Sequence, residues 1–209
     1  MRGTFITLEG PDGSGKTVLA KRLADELGRR GHRVRLLREP GGTPLGEQIR
    51  AILLERAGEV VTPIEPRADA LLFNAARAQL VAEVIRPALA AGEVVIDARH
   101  ADSTLAYQGY GRGVPIAELR SLAAVANGDL VPDLTILLDV PPEQGLGRKT
   151  GASRNRFEAS FDLAFHQRVR AGFLELARQE PDRFRVIDSS RRLDAVSTEV
   201  IAAALSILG

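Results

Sequence analysis

The eight residues Gly10-Pro11-Asp12-Gly13-Ser14-Gly15-Lys16-Thr17 complete a G-x-x-x-x-G-K-[ST] pattern, and their types suit one task, the cradling of a polyphosphate. Glycine lets the backbone wrap tightly enough for its N–H groups to point inward at phosphate oxygens. Lys16 then reaches the β- and γ-phosphates, and the Thr17 hydroxyl offers an oxygen ligand to Mg2+. The context agrees, because the apolar run Thr4–Leu8 precedes the loop, and Leu19, Leu23 and Leu27 follow it at helical spacing. A helix starting near Lys16 turns its partial positive end toward the same anion. The expectation is a nucleoside triphosphate site of the ATP–Mg2+ kind.

Three kinds of phosphate-loop protein compete for this motif. A GTPase switch reads guanine through an Asn-Lys-x-Asp element, which is absent here: Lys16, Lys21 and Lys149 follow Gly15, Ala20 and Arg148. A motor or transport ATPase places an acidic pair after a second apolar strand, whereas Leu134–Asp139 ends in one Asp followed by Val140. A small kinase needs an acceptor site and a lid bearing arginines, and the chain offers both.

Short apolar runs that read as strands, Thr4–Leu8, Arg33–Leu37, Glu93–Asp97, Leu134–Asp139 and Arg185–Ile187, alternate with helical patterns. Leu45, Ile49, Ile52 and Leu53 mark one helix, and Ala68 to Leu89 reads as a long one that Pro87 kinks or ends. Two more close the chain, Leu163 to Gln179 and Ala195 to Leu208. Strand and helix in alternation predict an α/β fold, a parallel sheet covered on both faces, with ligands at the strands' carboxyl ends. Pro40-Gly41-Gly42, Gly109 to Gly113 and Pro141-Pro142 read as punctuation at those ends. A length of 209 residues with no internal repeat or linker predicts a single domain.

Composition sets outer bounds. Without cysteine there is no disulfide, Cys-ligated metal or thiol nucleophile. A formal net charge of +1 gives no bulk attraction to nucleic acid or to an anionic membrane, and no apolar stretch is long enough to span one. With no targeting signal either, the expectation is a cytoplasmic protein. All but three of the 28 basic residues are arginine, which suits planar phosphate recognition but equally follows from a GC-rich genome.

Several further segments resemble the bacterial thymidylate kinases. Arg38-Glu39-Pro40-Gly41-Gly42-Thr43-Pro44-Leu45-Gly46 is similar to that family's segment after the second strand, and Leu72-Phe73-Asn74-Ala75-Ala76-Arg77-Ala78-Gln79 to its base-binding helix. Ser103-Thr104-Leu105-Ala106-Tyr107-Gln108-Gly109, then Gly111-Arg112-Gly113, resembles its next signature. Pro132-Asp133-Leu134 and Asn155-Arg156-Phe157-Glu158 fit as well. The resemblance runs from about residue 4 to about residue 190. It implies a P-loop nucleoside monophosphate kinase-like fold, with a five-stranded parallel sheet and a lid near residues 147–158, that uses ATP and Mg2+ to phosphorylate dTMP. It also implies a homodimer packed through helices, for which Ala68–Leu89 is a candidate face.

Carried over residue by residue, the resemblance places Phe73 on the thymine ring and Arg77, one helical turn on, at a base carbonyl. Read without it, Phe73 is a core residue and Arg77 a solvated one. Thr104 and Gln108 complete the polar edge of the base, and Tyr107 lies beside the sugar and disfavours a ribose 2′-hydroxyl. Arg99 and Arg50 hold the acceptor phosphate, Asp12 contacts the sugar 3′-hydroxyl, and Glu39 is a further acidic candidate or a solvated charge. Relatives with no arginine in the phosphate loop carry several in the lid. Here the loop has Gly13, and Arg148, Lys149, Arg154 and Arg156 follow in the lid, so one of those arginines is expected to act as an internal finger. A basic loop without a catalytic role is the alternative.

One departure stands out. The family has Asp-Arg-(His or Tyr) where this chain reads Asp97-Ala98-Arg99-His100, so the usual carboxylate position is Ala98. That carboxylate helps order Mg2+ and braces the arginine, and Asp97 belongs by alternation to the opposite face. Either a β-bulge re-aims Asp97, or Glu9 or Asp12 compensates, or catalysis is weakened. His100 reads as a local packing residue.

Overall fold

The structure, a computed structural model, describes residues 2–54, 64–148 and 161–208. Its strands are β1 (Phe5–Glu9), β2 (Val34–Arg38), β3 (Val94–Ala98), β4 (Leu134–Asp139) and β5 (Phe184–Asp188). All pair in parallel, in the order β2-β3-β1-β4-β5. The central strands β1 and β3 are buried throughout, as parallel strands between helical layers must be, while β2 and β5 expose residues at the edges.

Helices α1 (Lys16–Arg29) and α9 (Leu193–Leu208) cover one face of the sheet. Leu19, Leu23 and Leu27 of α1 pack with Val196 and Val200 of α9 against Ile6, Leu8, Ile96 and Leu138. Helices α2 (Pro44–Leu53), α3 (Pro66–Leu80), α4 (Arg86–Ala90), α5 (Ala101–Thr104), α6 (Ile116–Asn127) and α8 (Leu163–Gln179) account for most of the rest, and α7 (Pro142–Gly147) follows β4. On the second face, Phe5 and Val95 meet Leu80, Val81 and Ile85, while Leu137 meets Tyr107, Phe173 and Leu176.

Two expectations need correction. The helix begun at Pro66 does not stop at Pro87; a π-helical turn, Val81–Ile85, comes first, and α4 then continues to Ala90 with Pro87 in its first turn. Proline is tolerated in a first turn, and the wider register absorbs its missing N–H. Gly109 and Gly111 are not strand-end punctuation either, because α5 runs on into a second π-helical segment, Leu105–Gly111. A Cβ on Gly111 would come within 2.6 Å of the Phe165 ring, so glycine there serves close packing against α8. The apparent turn signal was a packing signal.

Candidate active site

The loop after β1 and the residues after β3 meet at the carboxyl end of the central strands, where an open α/β sheet binds ligands. Gly10, Gly13 and Gly15 all have positive φ, at 137°, 74° and 90°. Gly13 also lies so close to α7 that an added Cβ would collide with the Gly145 carbonyl. Lys16 folds back over the loop, its Nζ donating to the carbonyls of Gly10 and Pro11 at 2.8 Å each and to Ser14 Oγ at 3.2 Å. A polyphosphate would take over those donor bonds. Thr17, in the first turn of α1, is exposed beside Lys16.

A cavity of about 630 Å³ extends from this loop, lined at one end by Arg148, Ser189 and Arg191 and at the other by Arg50, Phe73, Arg77 and Tyr107. Arg99 stands between the two ends. It has φ 78°, a left-handed conformation that is costly for a residue with a Cβ and that recurs at functional sites. Its Nη2 donates to Asp12 Oδ1 at 2.6 Å and to the Tyr107 hydroxyl at 3.2 Å, and its Nη1 to Ser103 Oγ at 3.1 Å. Burial opposes its charge, but Tyr107, Asp12 and Glu9 outweigh that and hold its pKa above the ordinary arginine value. Arg50 donates to the Pro40 carbonyl at 2.7 Å, and burial followed by repulsion from Arg38 lowers its pKa, with Arg99 adding to the effect. Cations that repel one another around a shared opening suit a dianion.

The acidic residues are used internally. Asp12 Oδ2 accepts from the Tyr107 hydroxyl at 2.7 Å while Oδ1 holds Arg99, so Asp12 does the bracing that position 98 normally supplies. Glu9 accepts from the N–H of His100 at 2.7 Å and from Ser103 Oγ at 2.6 Å; burial, then Asp102, pushes its carboxyl up to about 7. Asp97 sits in an unbroken ladder opposite Thr7 and Leu37, so there is no bulge to re-aim it. It is fully buried beside His100, and Ala98 is the residue that lines the cavity.

Glu39 is not solvated, and it lines the cavity. It is buried, its Oε2 receiving Arg77 Nε at 2.8 Å and its Oε1 facing His100 Nδ1 at 2.7 Å. Arg77 is 1% exposed, which also removes the solvated reading of that residue. Its Nη2 donates to Thr104 Oγ1 at 3.1 Å, and Gln108 Nε2 donates to Asp69 Oδ2 at 3.1 Å. Phe73 is half-buried on the cavity wall. Arg148 bridges the loop and the end of β5 through the carbonyls of Gly13 and Ser189, at 3.1 and 3.0 Å. Arg154 and Arg156 lie outside the described residues, as does most of the expected lid.

Glu39, Asp97 and His100 have metal-ligand spacing, with ligand atoms within 4.8 Å of one another. Arg77 and His100 already supply Glu39 with cationic donors, so a divalent ion there would displace an existing ion pair. Thr17, beside the phosphate loop on the cavity wall, offers an exposed hydroxyl oxygen of the kind Mg2+ takes. Sequence reading missed Arg38, Asn74 and Ser103. Arg38 and Ser103 line the cavity and Asn74 Oδ1 accepts from Arg77 Nη1 at 3.0 Å, yet all three stand inside the quoted segments.

Fold and loop together define a P-loop nucleoside monophosphate kinase. The profile of the thymidylate kinase family matches residues 8–200. The chain is 51% identical to the thymidylate kinase of Deinococcus radiodurans over 203 residues, covering 97% of this chain and 96% of that one. It is 48% identical to that of Nitratidesulfovibrio vulgaris, covering 98% and 97%. The crystal structure of thymidylate kinase from Ehrlichia chaffeensis superposes with a TM-score of 0.76 at 32% identity, covering all of both chains. The chain belongs to the thymidylate kinase family.

Proposed function

We propose that this kinase transfers the γ-phosphoryl group of ATP to dTMP, giving ADP and dTDP, and that the residues around this cavity divide the work. The observation that carries the reading is the position of Arg99, within reach of both the phosphate loop and the Phe73–Arg77 end. The γ-phosphorus bond to the β-bridging oxygen breaks as a bond to an acceptor phosphate oxygen forms, and that oxygen needs no base because it is already anionic near pH 7. The catalytic task is then positioning and charge neutralisation.

In this reading Lys16 and the loop N–H groups hold the ATP phosphates, and Arg50 and Arg99 hold the acceptor phosphate. Asp12 orients Arg99 and takes the sugar 3′-hydroxyl, Phe73 stacks on thymine, and Arg77, Thr104 and Gln108 face its polar edge. Tyr107, pinned between Asp12 and Arg99, closes the space beside C2′ of the sugar. Arg148 contacts the loop carbonyl of Gly13, which supports it as the arginine finger. Bound Mg2+, held by Thr17 and the nucleotide, would spread charge over the β- and γ-phosphates. We assign the protein to the cytoplasm, where its nucleotide substrates are made. We assign the homodimer to the outer side of α3, where Leu71 is 54% exposed, and sedimentation equilibrium tests that assembly.

Measuring ADP release against a panel of nucleoside monophosphates tests the reaction. Preference for dTMP is expected; turnover of UMP, CMP or GMP without dTMP would reassign the acceptor. Ala98 favours a second reading, a nucleotide-binding protein with weakened catalysis, which predicts binding of both nucleotides with little transfer.

A further inference from the structure

Arg77 is buried and charged, and almost all its donors are already committed. Nε bonds Glu39, one Nη1 hydrogen bonds Asn74, and Nη2 bonds the Thr104 hydroxyl and the carbonyl of His100, the last at 3.1 Å. Of its five N–H groups, one on Nη1 remains for a ligand, so the orientation of the guanidinium plane decides where that hydrogen points. Glu39 is the charged partner among the four that set the plane, and a carboxylate turns freely about its last bond unless its second oxygen is also fixed. His100 fixes it, with Nδ1 at 2.7 Å from Oε1.

His100 is itself immobilised. Its ring packs edge-on against Phe5 at 5.1 Å, Asp97 Oδ2 lies 3.6 Å from Nδ1, and its backbone N–H is held by Glu9 at 2.7 Å. Burial disfavours its charge, but Glu39 outweighs that and raises its pKa to about 9, so the Glu39 bond is charge-assisted at neutral pH.

We propose that His100 is a positioning residue for acceptor-base recognition, fixing the Arg77 fork through Glu39 from a site that the base never touches. This rests on Arg77 being the residue that reads a base carbonyl. A fork with a single spare donor accepts the carbonyl O4 of thymine and rejects the amino group that cytosine carries at the same place. Loss of His100 should therefore weaken acceptor binding and base choice while leaving the ATP end alone.

The test is a double-mutant cycle on the full chain, with kcat and the KM values for ATP and the acceptor measured for wild type, His100→Leu, Arg77→Ala and the pair. His100→Leu is expected to raise the KM for dTMP about tenfold, with kcat and the KM for ATP changed less than about twofold. His100→Asn, whose Nδ2 takes the place of imidazole Nδ1, should recover most of the loss. In the Arg77→Ala background, His100→Leu should add nothing. The proposal is overturned if His100→Leu costs as much without Arg77 as with it, if both KM values rise together, or if His100→Asn is as impaired as His100→Leu. A wild type that uses another monophosphate in place of dTMP would refute the substrate reading, and the same cycle on that nucleotide would still measure the coupling.

Discussion

Asp97 offers the sharpest physical test, because the fold keeps a proton on it. Neither carboxyl oxygen has a hydrogen-bond partner among the described residues, and burial pushes the group from its ordinary 3.8 up to about 8. Between those values the unfolded chain has released the proton while the folded chain retains it. Folding therefore takes up a proton, and the contribution to stability, fully present below 3.8, is lost as pH rises through 8. The slope is about 1.4 kcal/mol per pH unit, so at pH 7 the group costs about 4 kcal/mol relative to acid. Asp97→Asn keeps the shape and removes the titration. Burying the extra amide hydrogen returns about 1–2 kcal/mol of that gain, leaving a net stabilisation of about 2–3 kcal/mol at pH 7. For a domain of this size that is a rise in Tm of about 5–10 °C. Thermal unfolding of both proteins at pH 5, 6, 7 and 8 reads the effect directly. Glu9 titrates in both proteins and drops out of the difference to first order. The gap should widen by about 1.4 kcal/mol per unit, close near pH 5 and reverse below it, where only the cost of the buried amide remains. A gap independent of pH, or a variant less stable than wild type at pH 8, would mean that Asp97 is ionised and paired with His100, and the reasoning would fail.

Three other substitutions probe the site. Gly13→Ala combines a φ of 74° with a collision at the Gly145 carbonyl, so the KM for ATP should rise at least about tenfold; an unchanged value would show that the loop does not need that conformation to bind. Asp12→Asn takes the charge from Arg99 and is expected to lower kcat about 10- to 100-fold with the KM for ATP little changed, and an equal rise in that KM would count against a role confined to Arg99 and the acceptor sugar. Ala98→Asp puts a carboxylate on the cavity wall and should raise kcat and lower the Mg2+ concentration for half-maximal rate; a loss of rate would show that the chain has adapted to alanine there.

The order of strands and the phosphate loop were legible because each has a local cause. Thr4–Leu8 carries no charge and is rich in β-formers, as suits a strand buried on both faces, and the glycines of the loop can be counted without knowing the fold. The segment Leu105–Gly111 was not legible in the same way. Its glycines look like a turn, and only the Phe165 and Val169 side chains of α8 reveal why small residues are needed. Arg77 and Glu39 failed as isolated readings for a related reason. Each is a charged residue that the sequence alone consigns to water, and each is buried because the other, 38 positions away, neutralises it. Partnership across that distance has no signature in spacing.

Positions 97 and 98 show how far a local rule reaches before long-range packing takes over. Alternation along β3 placed Asp97 on the face opposite the loop, and the ladder with β1 keeps that alternation: Val94, Ile96 and Ala98 pack with α1, while Val95 packs on the other side with Phe5. What alternation could not supply is the chemistry waiting there. A carboxylate at 98 would line the cavity beside the phosphate loop, whereas at 97 it meets His100, which contacts Glu39 and through it Arg77. A shift of one residue thus moves an acid off the cavity wall to the buried side of β3, and Asp12 is the carboxylate that bonds Arg99. If Thr17 holds Mg2+ as proposed, the cost of the exchange falls on metal ordering, and the dependence of rate on Mg2+ is where it should be visible.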